Sequence, residues 1–599
     1  MRVVREHRDD LVTRIRILAA VVIGLIAVIG GGFWYVQLVR GEEYRQLAEE
    51  NRLRKLPLKA PRGLIYDRHG RLLVENIPSY NLMLDRSRST DLNRALGFAA
   101  GVLERPVAEL RGVLDRYKAI PTFTPVLLAE NLTLTQVARF GVTGLELPEF
   151  EVEVQHLRLY RHGVQTAAFL GYIGEVTQAE IERSEGLYKP GDLVGKKGIE
   201  QTYDADLRGE DGERAVVVDS RGKLLEEFGQ QPAVPGKTLK LTIDLELQQE
   251  AARWLEGPEK VGGIVAMDPR NGEILALVSS PSYNPNLFAR RLQIDDWKAL
   301  LEDPYHPLQN RAIQNTYSPG STFKIIMATA GLTEGIFNEH TRVFCGGAGV
   351  FYGGRFRCWK PGGHGSVDAR LAMKHSCDVY FYTLGQKMGI DRIARYSRTF
   401  GLGQITGIDI KGEKKGLVPD QEWSLENRGF KWYPGETISV SIGQGPVLMT
   451  PLQMATMTAM VANGGYRVTP HLVQGADVPD PVHVPLDANA LKVVREGLWA
   501  VVNEPGGTAY WSARVPGAEM AGKTGTVQVI AQAQRTEAKA LPFKYRDHAW
   551  FTSFAPLENP QIVVAVFAEH GGSGSKVAAP IAQAIHAKYF KVDLDSPAR

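Results

Sequence analysis

One long apolar segment near the start of the chain restricts the architectures open to it. Residues Ile17 to Val39 comprise 23 consecutive positions without a charged side chain. As a helix they would span about 34 Å, enough to cross the hydrocarbon core of a bilayer. The alternatives are a buried core helix and a cleaved signal peptide, but the segment ends in bulky residues around Trp34 and Tyr35 rather than at a small-residue cleavage site. We therefore predict an uncleaved membrane anchor at 17–39, preceded by a short tail at 1–16.

The charges of the chain exclude one class of ligand and leave the direction of the anchor open. Basic residues flank the anchor almost equally: Arg2, Arg5, Arg8, Arg14 and Arg16 precede it, and Arg40, Arg45, Arg52, Arg54 and Lys55 follow it. The positive-inside rule therefore gives a near tie. Over the whole chain 70 basic and 67 acidic residues nearly cancel, and no dense basic block indicates a nucleic-acid-binding face. We expect no nucleic acid among the partners.

The remaining chain predicts more than one domain. A length of 599 residues suggests two or three. Short strands and amphipathic helices alternate up to a proline- and glycine-containing linker at 232–236, which predicts a mixed α+β domain over 40–235. The second domain, 236–599, has an α/β pattern in which GGIVAMD and EILALVSS predict a hairpin and three late strands precede a helix at about 577–590. This pattern indicates one sheet built from both ends of the domain, with a helical insert between its halves.

Ser321 and Lys324 have the spacing of a nucleophile and its base on one helix. Pro319 and Gly320 open a helix with the apolar body IIMATAGL, so Ser321 falls in the first turn and Lys324 on the same face, within hydrogen-bonding reach. A serine hydroxyl becomes nucleophilic when a base takes its proton, and a partly desolvated lysine can do so. The helix N-terminus also favours negative charge that develops there.

Two further motifs strengthen a signal that is weak by itself. The same spacing recurs at Ser220–Lys223 and Ser573–Lys576, which contain glycine and which we interpret as surface turns. In contrast, Ser376-Cys377-Asp378 lies in a tight connection between two helical segments. Lys523-Thr524-Gly525 begins a late strand that continues into Thr526. Helix serine, inter-helix serine and strand lysine follow one another in a fixed order.

In this order the three motifs resemble the serine active site of the penicillin-binding proteins. The resemblance covers Gly262 to about Phe590, and PRGLIYDRHG and GKKGIEQTYDADLRG resemble the opening and a later part of the family's N-terminal pedestal. It implies a multi-domain α/β protein. Its penicillin-binding/β-lactamase-like transpeptidase domain would have a five-stranded antiparallel sheet and a helical subdomain, preceded by a mixed α+β pedestal and one transmembrane helix.

The resemblance also implies an acyl-transfer reaction and its catalytic residues. Ser321 would attack the carbonyl of a D-Ala-D-Ala terminus and form an acyl-enzyme, and Lys324 would accept its proton. Ser376 would relay a proton to the departing D-alanine. A peptide amine from a second strand would then take the acyl group, which cross-links two stem peptides. β-Lactams would acylate the same serine.

A second set of residues would bind the substrate. Lys523 and Thr524 of the Lys-Thr-Gly motif, which Gly525 completes, would bind the terminal carboxylate, and the N–H group of Thr526 would share the oxyanion hole with that of Ser321. Asp378 stands where many relatives have asparagine. An ionised aspartate only accepts hydrogen bonds, so its contact is left open. This variant is similar to the elongation-specific, class B members of the family.

Three cysteines and one histidine form a separate candidate site. Cys345, Cys358, His364 and Cys377 lie within 33 residues, and three thiolates with one imidazole make a standard closed zinc shell. The alternative is a Cys345–Cys358 disulfide with one buried thiol, which an odd cysteine count disfavours. Some elongation-type relatives hold zinc near the active site, with a histidine and a cysteine in matching places. We predict a structural zinc ion that fixes the loop of Ser376, and no organic cofactor.

Three rival functions fit parts of the pattern. A β-lactam hydrolase would need a base for the deacylating water, and the closest segment, Glu422-Trp423-Ser424-Leu425-Glu426, ends in glutamate where class A enzymes carry asparagine. A penicillin-binding sensor would need a cytoplasmic output domain, for which the tail at 1–16 leaves little room. A non-catalytic scaffold would be expected to lose one of the motifs.

Family resemblance also implies partners and a location. The partners are peptidoglycan stem peptides, β-lactams, the inner membrane, a SEDS-type glycosyltransferase and other rod-complex proteins. The chemistry requires a single-pass inner-membrane protein with a cytoplasmic N-terminus and a periplasmic catalytic domain. Two minor features complete the expectations: Gly443-Gln444-Gly445 shapes a loop beside the cleft, and His548 serves packing rather than catalysis.

Overall fold

The fold is described from a computed structural model. It covers residues 2–45, 53–115, 117–118, 122, 125–144, 146–189, 191–218, 224–290, 292, 294–529 and 541–594. The described helices are α1 (Arg2–Trp34), α2 (Leu92–Leu103), α3 (Val107–Asp115), α4 (Leu134–Thr143), α5 (Ala167–Leu170), α6 (Gln178–Arg183), α7 (Gly198–Thr202), α8 (Asp204–Arg208), α9 (Leu245–Trp254), α10 (Ile294–Glu302), α11 (Lys324–Thr333), α12 (Ala369–Lys374), α13 (Asp378–Met388), α14 (Ile390–Thr399), α15 (Gln421–Arg428), α16 (Glu436–Val440), α17 (Pro451–Ala462), α18 (Ala488–Asn503) and α19 (Ala579–Phe590).

The described strands are β1 (Leu53–Leu58), β2 (Ile65–Tyr66), β3 (Leu72–Leu84), β4 (Val126–Ala129), β5 (Phe150–Tyr160), β6 (Ile173–Glu175), β7 (Leu193–Gly195), β8 (Gly212–Val218), β9 (Leu224–Gln231), β10 (Leu239–Lys240), β11 (Val261–Met267), β12 (Ile274–Ser280), β13 (Val343–Cys345), β14 (Ala348–Phe351), β15 (Gly354–Arg357), β16 (Gly365–Val367), β17 (Tyr466–Arg467), β18 (Val482–His483), β19 (Ala521–Val527), β20 (His548–Ala555) and β21 (Ile562–Glu569).

The apolar N-terminal segment is helical throughout. α1 continues into a π-helical turn at Tyr35–Val39. Among the described helices, one is long and apolar enough to cross a bilayer: Leu11–Val39, none of whose apolar stretch is buried. The predicted anchor at 17–39 lies inside it. An exposed apolar helix of this length is costly in water and fits a bilayer.

The chain divides into two compact units. The first contains Met1–Pro61, Pro78–Gln155 and Gly209–Pro235, and the second contains Arg62–Ile77, His156–Arg208 and Gly236–Arg599. In the first unit, β1, β8 and β9 form an antiparallel sheet, and α2, α3, α4 and β4 contribute to a separate apolar core. The second unit holds all the sequence motifs of the candidate site.

A five-stranded antiparallel sheet organises the second unit, in the order β12-β11-β21-β20-β19. β11 and β12 form the predicted hairpin, and β19, β20 and β21 come from the other end of the sequence. The expectation of one sheet assembled from both ends of the domain is therefore confirmed. β19, which carries Lys523, is the edge strand.

Both faces of this sheet are covered, which explains why its strands are almost continuously apolar. Ile264 and Ala266 of β11 pack into one core with Ile585 of α19, whereas their neighbours Val265 and Met267 pack into a second core. The helical insert, including α11, α13 and α17, lies on the side of the second core. The predicted final helix begins at Ala579 after a π-helical turn, Gly574–Ala578, and ends at Phe590 as expected.

Candidate active site

Ser321 lies in a tight turn that leads into a buried helix. The turn, Gly320–Phe323, is a 3-10 helix, and α11 follows it directly, so Ser321 precedes the α-helical turn in which it was expected. Gly320 has φ +56°, a conformation that favours glycine. Thr322 and Phe323 are buried and fix the turn, whereas Ser321 remains partly exposed. Within the described residues, no hydrogen bond of the Ser321 hydroxyl is formed.

Lys324 contacts the second serine motif rather than Ser321. Its side chain is fully buried, and Nζ lies 2.6 Å from Asp378 Oδ1. Nζ also donates to Ser376 O at 3.0 Å and to Ser376 Oγ at 3.3 Å. The ammonium is therefore neutralised by a buried carboxylate and aimed at the Ser376 hydroxyl, which links the first two motifs.

The loop between α12 and α13 is held in an unusual conformation. Ser376 has φ +53°, a backbone conformation that residues other than glycine rarely adopt. Its side chain is only 5% exposed, so packing of the surrounding residues holds the loop in this conformation. Asp378 is the first residue of α13, and its Oδ2 accepts from the Trp359 backbone N–H at 2.9 Å. The Trp359 indole N–H in turn donates to the carbonyls of His375 and Ser376, each at 3.1 Å. The contact of Asp378 is thus internal: Lys324 on one oxygen and Trp359 on the other.

The edge strand β19 presents the third motif. Lys523 is fully buried, and its Nζ donates to Thr524 O at 3.1 Å. Desolvation lowers the pKa of Lys523 well below its usual value; the charge on Lys324 lowers it further, and Asp378 opposes the shift. Thr524 is almost buried and its hydroxyl lies 2.8 Å from that of Thr508, whereas Thr526 is exposed.

Glycines allow the elements of the site to approach closely. A Cβ at Gly525 would lie 2.9 Å from Trp550 Cβ and 3.2 Å from Pro319 O, and one at Gly320 would lie 3.0 Å from Val527 Cγ2. Gly320 N donates to Gly443 O at 2.8 Å, and a Cβ at Gly443 would lie 2.2 Å from Gly320 O. The turn of Ser321 is therefore packed between β19 and the loop at 443–445, which supports the predicted place of that loop beside the site.

Of the other two serine–x–x–lysine matches, the structure describes one. Ser220–Lys223 lies outside the described residues. The prediction of a surface turn at Ser573–Lys576 is wrong, because Gly574 is buried and starts the π-helical turn that leads into α19. A Cβ at Gly574 would lie 2.3 Å from Gly525 O, so this segment packs on the site strand. The sequence does indicate that this segment leads into a helix, since its glycine is flanked by serines and followed by an alanine-rich run.

Cys345, Cys358, His364 and Cys377 converge beside the Ser376 loop. The three cysteines are buried and free, and the four ligand atoms all lie within 4.8 Å of one another. His364 Nδ1 is 3.7 Å from Cys345 Sγ and 3.6 Å from Cys358 Sγ. A tetrahedral zinc ion, with bonds of about 2.0 to 2.3 Å, places its ligand atoms roughly 3.6–3.8 Å apart. The donor set and its spacing fit such an ion.

The electrostatics of the cluster favour a thiolate. A hydrogen bond from Cys377 is the largest cause that lowers the pKa of Cys358, and the same bond raises the pKa of Cys377. Cys377 lies between Ser376 and Asp378, and Cys358 precedes Trp359. The cluster thus joins the segment that contacts Lys324, which contains Ser376 and Asp378, to the segment of Trp359, which holds it in place.

Two contributors to the site were not predicted. Trp359 follows a cysteine of the cluster, and Thr508 lies between α18 and β19. Neither belongs to a motif, and each acts through a contact with a residue distant in sequence, so no local pattern indicates its role. His548, in contrast, was correctly assigned to packing: it accepts from the His570 backbone N–H, and burial lowers its pKa to about 4.

Comparison with known proteins places this geometry in a family. The chain matches the penicillin-binding protein transpeptidase domain over residues 262–587 and the penicillin-binding protein dimerisation domain over residues 57–241. It is 36% identical to the peptidoglycan D,D-transpeptidase MrdA of Haemophilus influenzae, over 94% of this chain and 90% of that relative.

Solved structures agree. The complex of penicillin-binding protein PBP2 with MreC from Helicobacter pylori matches with a TM-score of 0.80 at 28% identity, over 90% of this chain and 99% of that one. A peptidoglycan synthase complex that coordinates polymerisation and cross-linking contains a chain that matches with a TM-score of 0.73 at 32% identity, over 97% and 99%. The chain therefore belongs to the penicillin-binding protein 2 (MrdA) family and is a membrane-anchored, serine-type D-Ala-D-Ala transpeptidase that cross-links peptidoglycan stem peptides.

Proposed function

We propose that Ser321, Lys324 and Ser376 carry out the acyl transfer. The observation that supports this assignment is the buried contact of Lys324 Nζ with Ser376 Oγ at 3.3 Å, directly after the turn of Ser321. Ser321 Oγ attacks the carbonyl of the penultimate D-alanine and loses its proton to Lys324, which has first passed a proton of its ammonium to Asp378 Oδ1, 2.6 Å away. Ser376 passes a proton to the leaving D-alanine nitrogen as the C–N bond breaks and takes one back from Lys324 Nζ, 3.3 Å away, after which Asp378 returns its proton to Lys324. An acceptor amine then attacks the ester, forms the cross-link and returns Ser321 to its starting state.

Lys523 and Thr524 are proposed to bind the terminal carboxylate of the donor peptide. Lys523 is held with a depressed pKa in the free protein, and an incoming carboxylate would favour its charged form. The backbone N–H groups of Ser321 and Thr526 form the oxyanion hole. Gly525 lets the turn of Ser321 pack directly on β19, since a Cβ there would lie 3.2 Å from Pro319 O. The extended peptide would pair with the outer edge of β19 by main-chain hydrogen bonds.

Covalent labelling tests these assignments. We expect a fluorescent penicillin to label the full-length protein, Ser321→Ala to abolish labelling, and mass spectrometry to place the adduct on Ser321. An adduct on another side chain would overturn the proposal. Rapid nitrocefin turnover would instead favour a β-lactam hydrolase, and growth supported by Ser321→Ala would favour a scaffold.

We further propose that Cys345, Cys358, His364 and Cys377 hold a structural zinc ion. When bound, the ion supplies a fixed cross-link between the cysteine-bearing segments. Through Cys377 those residues would hold Ser376 and Asp378 in place, and through Cys358 they would hold Trp359. Metal analysis of purified protein should give one zinc per chain, and Cys345→Ser should lower it and the midpoint of thermal unfolding. Protein without zinc but with a Cys345–Cys358 disulfide would contradict the assignment.

The cellular role is proposed from relatives. The MreC complex of PBP2 and the synthase complex support action in cell elongation, with a SEDS-type glycosyltransferase and rod-complex proteins as partners. We propose residues 1–16 as a cytoplasmic tail, 40–235 as the periplasmic pedestal and 236–599 as the transpeptidase domain. Protease added to spheroplasts should digest the catalytic domain and spare an N-terminal tag. The opposite pattern would reverse the orientation.

A further inference from the structure

A threonine outside the three motifs contacts the strand that is proposed to bind the substrate carboxylate. Thr508 Oγ1 lies 2.8 Å from Thr524 Oγ1, and Thr524 is 8% exposed. Thr508 itself is partly buried and lies in the connection between α18 and β19. Of two hydroxyls at this distance, one donates its proton to the oxygen of the other. The proton of the accepting hydroxyl must then point elsewhere.

The position of Thr508 is set by its own segment, 504–508. A Cβ at Gly507 would lie 2.4 Å from Val501 O, so only glycine brings the chain this close to the end of α18. Directly after Thr508, Ala509 N donates to Val501 O at 3.1 Å. On the other side, Gly507 N donates to Glu504 O at 2.9 Å, so backbone hydrogen bonds hold the chain on both sides of Thr508.

The same segment is tied to the Ser376 side of the site. Glu504 forms ion pairs with Arg370 and Lys374 of α12. His375, which precedes Ser376, lies with Nδ1 3.2 Å from Gly506 O. Segment 504–508 thus connects the second motif to the third, and its last residue touches the hydroxyl of Thr524.

We propose that Thr508 is a positioning residue that orients the hydroxyl of Thr524 toward the substrate carboxylate. A carboxylate only accepts hydrogen bonds, so Thr524 must keep its single proton for the substrate. Thr508 ensures this because its O–H group donates a hydrogen bond to Thr524 Oγ1, so that Thr524 acts as the acceptor in this contact. The bond also polarises the Thr524 O–H group. The inference rests on the proposed carboxylate-binding role of Thr524 and adds a residue that the motifs do not contain.

The test compares substrates with and without the carboxylate. Second-order acylation constants are measured for benzylpenicillin and for its methyl ester, with wild type, Thr508→Val and Thr508→Ser. Valine keeps the shape and removes the hydroxyl. We expect Thr508→Val to lower the constant for benzylpenicillin about tenfold, as for one lost hydrogen bond, and to leave that for the ester within about twofold. Thr508→Ser should restore the wild-type ratio.

A double-mutant cycle separates orientation from general structural support. In a Thr524→Val background, Thr508→Val should cause no further loss for benzylpenicillin, because its partner is already absent. An equal loss for both substrates, or independent losses in the cycle, would overturn the inference. If wild type were acylated elsewhere than at Ser321, the proposed function would fail instead. Acylation at Ser321 with an unchanged substrate ratio in Thr508→Val would sink the present inference alone.

Discussion

At the scale of single residues, the site depends on two buried lysines and one carboxylate. Lys324 and Lys523 are both fully buried, and Asp378 lies 2.6 Å from Lys324. A buried ammonium is costly unless it is paired and hydrogen-bonded. Asp378 therefore makes the charge of Lys324 tolerable inside the fold.

Replacement of Asp378 by alanine should reveal this role. Because Lys324 would lose its counter-ion, we expect destabilisation by about 3 kcal/mol, at the low end for breaking a buried ion pair. Asp378→Asn keeps an acceptor oxygen and should lose less. Thermal unfolding followed by circular dichroism measures both. An Asp378→Ala protein with the wild-type midpoint would contradict this account.

The indole of Trp359 should matter although the residue is 56% exposed. Trp359→Phe keeps a ring and removes the N–H group that donates to His375 O and Ser376 O. We expect the acylation rate to fall about fivefold, as for a loss near 1 kcal/mol, because the Ser376 loop would be less well fixed. Stopped-flow labelling measures the rate. Trp297→Phe on α10 is the matched control and should leave the rate unchanged.

Motif spacing predicted which motifs would come together better than it predicted the contacts between them. The three motifs named Ser321, Lys324 and Ser376 because their chemistry needs those residue types in that order. It could not predict that Lys324 would contact Asp378, since the pair is separated by 54 residues. The role of Trp359 was not predicted for the same reason: nothing in the sequence around an exposed tryptophan beside a cysteine indicates a hydrogen bond to a distant residue.

At the scale of elements, α19 is buried against the five-stranded sheet and carries one unusual group. His586 is fully buried, and its Nε2 lies 2.9 Å from Ser553 Oγ of β20. Burial lowers its pKa from 6.5 to about 3. The folded state thus disfavours the imidazolium that the unfolded chain accepts.

Acid should therefore weaken the packing of α19. Since the folded pKa lies below the unfolded value, the contribution of neutral His586 is complete above pH 6.5 and is lost progressively as pH falls toward 3. At pH 5 the loss amounts to about 2 kcal/mol. His586→Gln, which retains hydrogen-bonding groups, should show a smaller drop in unfolding midpoint between pH 7 and pH 5. Equal drops in both proteins would rule out His586 as a source of acid sensitivity.

Elements were predicted where periodicity and turn residues agree. The β11–β12 hairpin and α19 follow from apolar runs and from the turn between them. The five-stranded antiparallel sheet was expected from family resemblance, but the strand order β12-β11-β21-β20-β19 was not predicted, because the order of strands in a sheet leaves no local pattern in the sequence. The short hairpins around the cysteines were not predicted, since strands of three or four residues are too short for periodicity.

At the scale of the whole molecule, one described helix accounts for attachment to the membrane. None of the apolar stretch in Leu11–Val39 is buried. Deletion of residues 1–39 should release the protein from membranes, because the bilayer is the apolar surroundings that this helix requires. Vesicle flotation measures the change, with the full-length chain as control. Continued flotation of the shortened protein would indicate a second membrane-binding surface.

The glycine contacts around Ser321 also have an evolutionary consequence. Residues 320, 443, 525 and 574 have no space for a methyl group, since a Cβ at each would come within 3.0 Å of another atom. A side chain at any of these four positions would force the turn of Ser321 or its neighbours to move. We therefore expect inhibitor-resistant variants of this chain at exposed positions of the site, such as Trp359 and Thr526, rather than at these glycines.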